Sequence, residues 1–264
     1  MATSQILPAD AAGDTLPAIR KIGIADLRDA LARGYADFQA MPTHAIFLII
    51  IYPVIGLFLV RATMNGNLLP LIYPLVGGFA LLGPVAALGL YELSRRREQG
   101  EEVSASDALS VIKSPAIVAI VKLSLILMAI FFIWLGVARG IYSLAFGGAK
   151  PETVVDMMRQ ILTTPAGLLL IILGNAAGCV FAALALTISV VSFPMLLDRH
   201  VSLGTAVKTS VAAVSANPLT MAVWGFVIGA ALFAGSLLLF VGLIVVLPVF
   251  GHATWHLYRK VVAR

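Results

Sequence analysis

The longest apolar run in the sequence constrains the fold most strongly. It extends from Pro218 to Tyr258, about 40 residues, which is roughly twice the length that one helix needs to cross a bilayer. Open strands cannot satisfy their backbone hydrogen bonds in lipid, so this run predicts two paired transmembrane helices. We place the break between them at Phe240–Val241–Gly242, with Ala234–Gly235–Ser236 as the alternative position.

Four further apolar runs complete the predicted set of spans. The chain is 60% apolar and 12% charged, whereas a soluble domain is about 45–50% apolar and about 25% charged. The predicted fold class is therefore all-α, a polytopic membrane protein whose six transmembrane helices form three hairpins within residues 22–262. The predicted spans cover about residues 44–64, 68–93, 115–146, 165–197, 218–239 and 242–258.

The first 21 residues are predicted to be a disordered cytoplasmic tail. They are rich in Pro, Asp and Ala, and they lack the basic-then-apolar order of a cleaved signal.

The distribution of cations predicts the orientation. Six spans place both termini on one side, and most of the 18 lysines and arginines fall in segments on that side. The positive-inside rule therefore predicts cytoplasmic termini and a location in the bacterial inner membrane. The net charge of +5 indicates contact with anionic headgroups. It does not favour nucleic-acid binding, because no basic domain stands apart from the membrane.

Prolines mark an internal repeat. The segments before the three odd-numbered spans end at Pro42, Pro115 and Pro218, each after a short stretch with helix-like spacing of apolar residues. In the even-numbered spans, Pro84 and Pro248 are followed at the same offsets by an aromatic residue and two cations. The sequence predicts a unit of one interfacial helix and one hairpin, repeated three times.

The predicted interfacial helices lie at the cytoplasmic surface with their apolar sides toward the membrane. In the first of them, one face carries Ile24, Leu27, Leu31 and Tyr35.

The stretch "GHATWHLYRK" raises the question of a metal or haem site. His252 and His256 are four residues apart and share a helix face, and imidazole is a common ligand of zinc and copper. His44, at the start of the first span, is the third candidate ligand. No HExxH or CxxC pattern and no set of carboxylates accompanies them, and the single cysteine, Cys179, lies in an apolar run. We therefore predict no cofactor and keep the metal site as an alternative.

Amphipathic and basic residues near the cytoplasmic ends of the spans are predicted to be interfacial anchors, because such side chains settle at the headgroups. They are Tyr91, Trp255, Tyr258, Arg95, Arg96, Arg259 and Lys260.

One cation, Lys122, falls inside the third predicted span. At 1.5 Å per residue it lies about 10 Å into the membrane, and a charge at this depth indicates either a structural pair or a functional site. We predict an ion pair with Glu92, with Asp198 as the alternative partner and a solute or proton pathway as the alternative role.

Three polar residues, Asn175, Ser189 and Ser192, lie in or near the fourth span. We interpret them as interhelical hydrogen-bonding groups, with a polar pathway as the alternative.

Four stretches together resemble a family of uncharacterised bacterial integral membrane proteins, defined as a domain of unknown function. They are "YPLVGGFALLGPVAALGLYELSRRREQGE", "SVVSFPMLLDRHVS", "NPLTMAVWG" and "VVLPVFGHATWHLYRK". The resemblance covers about Ile22 to Val262 and implies a six-span inner-membrane protein without an assigned catalytic residue. Some members are labelled putative cytochrome c oxidase subunit I. That enzyme spreads its metal-ligating histidines over several helices, whereas these four histidines lie at one predicted membrane face, so we reject the label as an activity.

The leading functional prediction is a non-enzymatic interaction, assembly or membrane-organising factor. One version of this role would be as an accessory protein of respiratory complexes. The alternative is a small-solute or lipid transporter built from three parallel hairpins. No P-loop or nucleophile elbow is present in a suitable context. The predicted partners are membrane lipids and a membrane protein.

Overall fold

The computed structural model describes residues 16–41, 69–147, 153–199, 201–237 and 242–263, and these residues form an all-helical protein. The predicted all-α class is thereby confirmed for the described residues. The α-helices are α1 (Ile24–Ala40), α2 (Ile72–Phe79), α3 (Gly83–Ala86), α4 (Leu88–Glu98), α5 (Ile117–Phe146), α6 (Val154–Thr163), α7 (Pro165–Ser189), α8 (Ser192–Arg199), α9 (Leu203–Ala216), α10 (Pro218–Leu237) and α11 (Leu243–Val261). Short 3-10 helices cover Leu69–Leu71, Ala80–Leu82 and Ala105–Lys113.

Four helical stretches are long and apolar enough to cross a membrane, and they run over Tyr73–Glu98, Ile117–Phe146, Pro165–Arg199 and Pro218–Leu237. Their outer faces carry exposed large apolar side chains, such as Phe132 and Phe226, as expected of surfaces solvated by lipid. The first predicted span, residues 44–64, lies outside the described residues.

The last predicted span, residues 242–258, corresponds to α11, which is not one of these four stretches. The second half of α11 carries polar and charged residues. It is largely buried in protein, whereas a lipid-facing surface would be exposed. The preceding helix is described as far as Leu237 and α11 begins at Leu243, and the first predicted break position lies outside the described residues apart from Gly242. The alternative position, Ala234–Ser236, lies within α10.

The first stretch, Tyr73–Glu98, is made of α2, α3 and α4 rather than one uniform helix. A 3-10 turn separates α2 from α3, and Pro84 lies at the start of α3. Proline lacks the N–H that the α-helical ladder requires, so a break in the ladder is expected there.

Helix α1 packs mainly against α11. Its buried face consists of Leu27, Ala30, Gly34 and Asp37. A Cβ atom on Gly34 would lie 2.5 Å from the backbone nitrogen of Ala253, so the two helix backbones touch at this glycine.

The predicted apolar face of α1 is therefore wrong in part. Ile24 and Tyr35 are exposed, while Leu27 is buried against protein. The helix turns its small residues inward, because only small residues permit this close approach.

The extended segment before α1 is hydrogen-bonded to the C-terminal end of α11 and the residues after it. Arg20 N donates to Val261 O at 2.8 Å, and Ala263 N donates to Ala18 O at 2.9 Å. Asn217, between α9 and α10, accepts from Ile22 N at 2.9 Å. The two ends of the described chain are thus hydrogen-bonded to each other.

Candidate functional site

Polar and charged side chains gather at one end of the helices, where α4, α8 and α11 end beside α1. This region, called the polar end below, is built around the second half of α11. Its residues from Gly251 to Trp255 are all buried, and so are Leu257 and Tyr258. A buried polar side chain needs a hydrogen-bonding partner, and the polar end supplies these partners from distant parts of the chain.

The centre of the polar end is a group of five side chains, called the Asp37 cluster. It joins α1 to α4 and α11. Ser94 Oγ lies 2.6 Å from Asp37 Oδ2, and His256 Nε2 lies 2.8 Å from the same oxygen. Arg97 Nη1 donates to Asp37 Oδ1 at 2.5 Å. His252 Nδ1 lies 2.7 Å from Ser94 Oγ.

The number of donors and acceptors on each group indicates where the protons lie. An ionised carboxylate only accepts hydrogen bonds, so Ser94 and His256 donate to Asp37. Because the Ser94 hydroxyl has one proton, His252 Nδ1 must carry the proton of the second bond. His252 Nε2 is then an acceptor, buried without a partner among the described residues.

The charge of Asp37 is stabilised by these neighbours. Burial alone would raise the pKa of Asp37, but hydrogen bonds from His256 and Ser94 outweigh it and hold the pKa below its ordinary value. Asp37 is therefore ionised at neutral pH and ties three helices together.

This arrangement does not suit nucleophilic catalysis. Ser94 is 1% exposed, and it donates its proton to a carboxylate rather than to a histidine base. In hydrolytic triads the histidine lies between the acid and the nucleophile. Here the serine lies between Asp37 and His252.

A second feature of the polar end is an open cavity of about 510 Å³, called the arginine pocket. It lies where α4, α8 and α11 meet. Its lining residues are Arg95, Glu98, Gln99, Asp198, Arg199, Trp255 and Arg259.

Ion pairs hold the wall of the arginine pocket together. Arg259 donates to Glu98 and to Asp198, both at 3.1 Å, and its guanidinium lies 5.9 Å from the centre of the Trp255 ring. Trp255 Nε1 donates to Glu98 at 3.0 Å. The pocket is thus a built cavity that presents three guanidinium groups.

The predicted ion pair between Lys122 and Glu92 requires correction. Glu92 is buried, and its carboxylate accepts from Arg95 at 2.7 and 2.8 Å and from Arg96 at 2.8 Å. These arginines lie three and four residues later on the same helix, where side chains are adjacent. The alternative partner, Asp198, instead accepts from Tyr258 at 2.6 Å and from Arg259.

Lys122 lies on α5 and is exposed. It forms no hydrogen bond or ion pair with another described residue.

The three polar residues of the fourth predicted span form helix contacts. Asn175 accepts from Tyr73 at 3.0 Å across α2 and α7. Ser192, at the start of α8, donates to Ile188 O of α7 and lies 3.1 Å from Ala206 O of α9. Ser189 donates to Ala185 O and is buried. Asn175 is exposed and Ser189 is buried, and neither of them nor Lys122 is among the residues that line the cavity described above.

Two of the three candidate histidine ligands lie together, and both are engaged in hydrogen bonds. His252 and His256 both belong to the Asp37 cluster, and His44 lies outside the described residues. Within the described ranges, no group of three or more His, Cys, Asp or Glu side chains could hold a metal ion.

The predicted aromatic anchors are in the protein interior. Tyr91, Trp255 and Tyr258 are only 1–2% exposed, so they do not face lipid headgroups. Tyr91 and Trp255 belong to the main apolar core, and the Tyr258 hydroxyl donates to Asp198.

The predicted basic anchors are also engaged with the protein. Arg95, Arg96 and Arg259 pair with carboxylates of the polar end, and Lys260 pairs with Asp29 of α1 at 2.9 Å. They stabilise the polar end in addition to any contact with headgroups.

Sequence analysis did not single out Asp37, Ser94 or Arg97. A signal for Asp37 was present, since it continues the Ala30–Gly34 stripe of α1 by one further turn. Ser94 and Arg97 carried no comparable signal, because their partners lie 57 or more residues away.

Residues 72–198 match the model of a family described as "Predicted integral membrane protein (DUF2189)", whose function is unknown. The matched segment takes in nearly all of the first three apolar stretches. The resemblance inferred from the sequence is confirmed by this match. Comparisons with curated proteins and with solved structures gave no match.

Proposed function

Because the central part of the chain matches a family of integral membrane proteins, we propose that this protein is a non-enzymatic integral protein of the bacterial inner membrane. It acts by binding, as an interaction, assembly or membrane-organising factor. The observation that carries this proposal is the Asp37 cluster, in which the polar side chains bind one another and leave the reactive groups buried. Such a cluster suits a structural role, in which it holds the helices together, rather than catalysis.

The hydrogen-bonded ends of the chain support the proposed topology. The backbone pairs of Ala18 with Ala263 and of Arg20 with Val261 support a topology in which both segments lie on the same side of a bilayer. The chain between them then crosses an even number of times, in agreement with six spans. The basic residues of the polar end favour the cytoplasm for that side.

Site-specific photocrosslinking in intact bacteria tests the binding function. A crosslinking amino acid at Tyr35, exposed on α1, samples the polar end, and one at Phe226, exposed on α10, samples the lipid-facing surface. We expect one discrete protein adduct from position 35 and lipid adducts from position 226. Absence of a protein adduct from position 35 and from Arg28, which is also exposed on α1, would count against a partner at this end.

A transporter is the second candidate, and the observation that favours it is Lys122, a cation on an apolar helix. If Lys122 handles a solute or proton, Lys122→Met abolishes the cellular phenotype of the protein while the purified variant remains folded. If the binding proposal is correct, Lys122→Met complements a deletion strain fully.

A further inference from the structure

The arginine pocket lies where two of the apolar stretches end. Arg95 and Glu98 belong to the last turn of Tyr73–Glu98, and Asp198 and Arg199 close Pro165–Arg199. The pocket therefore lies at the level where apolar helices leave a bilayer. This placement rests on the proposed function, which sets these stretches in the membrane.

The guanidinium groups that line the pocket retain unused donors. A guanidinium carries five N–H groups. Arg259 uses Nε for Glu98 and Nη1 for Asp198, which leaves Nη2. Arg199 uses Nη2 for Ala263 O, its Nε lies 3.7 Å from Asp198 Oδ2, and it also contacts the Tyr258 side chain, so these contacts occupy fewer than its five N–H groups. The ion pairs thus orient the arginines without saturating them.

The charge of the lining favours an anion. Among the lining side chains, three arginines face two carboxylates, Glu98 and Asp198, and both carboxylates are already engaged by Arg259. Arg95 is paired with Glu92 outside the lining, so Arg199 and Arg259 are the cations that an anion would meet. Guanidinium groups match the geometry of phosphate oxygens through paired N–H donors. Trp255 contributes to one wall, where its buried ring lies 5.9 Å from the Arg259 guanidinium and adds no charge.

We propose that the arginine pocket binds the phosphate of an anionic phospholipid headgroup. The phosphodiester accepts from the free N–H groups of Arg199 and Arg259, while the acyl chains follow the apolar faces of the adjoining helices. Since inorganic phosphate offers the same oxygens, the test must separate the two sources.

Gln99 permits a charge change in the lining without loss of an ion pair. Its side chain is exposed, and its Oε1 accepts from Arg95 at 3.3 Å, a role that a glutamate oxygen would keep. The matched control is Gln39→Glu, the same change at an exposed position in the last turn of α1, away from the lining residues.

The experiment titrates the full-length protein, in a non-ionic detergent, with dioctanoyl phosphatidylglycerol and follows the melting temperature. A ligand that binds only the folded state raises it. Dioctanoyl phosphatidylcholine is the lipid of equal chain length without net charge. We expect tighter binding of the anionic lipid. Gln99→Glu should weaken that binding about three-fold, because it adds one negative charge at roughly 6 Å from the bound phosphate in a water-like dielectric. Gln99→Lys adds a positive charge there and should strengthen the binding by a similar factor. Gln39→Glu should match the wild type.

Three outcomes would overturn the assignment. They are equal binding of the two lipids, equal effects of Gln99→Glu and Gln39→Glu, and full replacement of the lipid effect by millimolar inorganic phosphate, which would make free phosphate the ligand. The titration measures lipid binding, and the photocrosslinking detects a protein partner. Failure of the lipid proposal is therefore distinguishable from failure of the proposed binding function.

Discussion

Replacing Asp37 by Asn tests whether the Asp37 cluster holds the polar end together. The substitution keeps the shape of the side chain but removes its charge. An amide presents one oxygen and an NH2 group, so at least one of Ser94, His256 and Arg97 then faces a donor instead of an acceptor. The variant should lose stability without losing its overall secondary structure.

The expected magnitude follows from the burial of these partners. Breaking a buried pair on one side costs about 3–5 kcal/mol. The Arg97 side chain is 39% exposed, so it can regain water, whereas Ser94 is buried. We therefore expect a loss of about 2–4 kcal/mol in the free energy of unfolding, since hydrogen bonds to charged groups contribute about 1.5–3 kcal/mol each.

The same helix offers a matched control. Asp29 lies on α1, pairs with Arg33 at 2.8 Å and with Lys260 at 2.9 Å, and has a side chain that is 43% exposed. Exposed pairs contribute about 0–1 kcal/mol, so Asp29→Asn should have a small effect.

Thermal unfolding in a mild detergent, followed by tryptophan fluorescence, measures both variants. At about 2–4 °C per kcal/mol, Asp37→Asn should melt roughly 5–15 °C below the wild type, and Asp29→Asn within about 4 °C of it. Equal melting temperatures for the two variants would refute the idea that Asp37 ties the helices together.

Three further predictions use the same assay. Gly34→Ala should destabilise by about 1–3 kcal/mol, because a Cβ there overlaps Ala253, while Gly204→Ala, whose added atom meets nothing closer than 3.8 Å, should be neutral or stabilising. A similar loss from both would argue against a tight α1–α11 contact. Lys122→Met should have the melting temperature of the wild type, because Lys122 pairs with no carboxylate in the described part of the chain. A large drop in melting temperature would indicate that Lys122 has a structural role after all. The pKa of Asp37 is depressed in the fold, so its contribution is present above the unfolded value of 3.8 and is lost as the pH falls through the lower folded value. Acid should therefore destabilise the wild type more than Asp37→Asn, and parallel pH profiles would contradict this.

The helical class and most helix positions followed from the sequence, because lipid leaves few alternatives to a helix for long apolar runs. The stretch Ile117–Phe146 is a simple case, with thirty residues of mostly apolar character. Its boundaries needed no knowledge of any other part of the chain.

The interior position of Trp255 and Tyr258 did not follow from the sequence. An amphipathic aromatic residue at the end of an apolar run has the same pattern whether it meets headgroups or protein. The contacts of α11 with α4 and α8 decide between the two, since Trp255 donates to Glu98 and Tyr258 donates to Asp198. No local pattern in the sequence indicates contacts between segments so far apart.

The partner of Glu92 was within reach of sequence reasoning. Arg95 and Arg96 stand at i+3 and i+4 on one helix, the spacing of adjacent side chains. Lys122 drew attention because it is isolated in an apolar span, but a buried carboxylate is satisfied first by the nearest cations.

The contact of α1 with α11 also sets the order in which the protein can be completed. Asp37 and His256 are 219 residues apart, and ribosomes add about 5–20 residues per second. After α1 leaves the ribosome, roughly 10–40 s pass before its partner helix exists. Before then, Asp37 has only Ser94 and Arg97 of α4 as partners, and the Gly34 face of α1, which meets Ala253 in the complete fold, stays uncovered. Among the described helices, α11 is thus the last to be made and the one that completes the polar end.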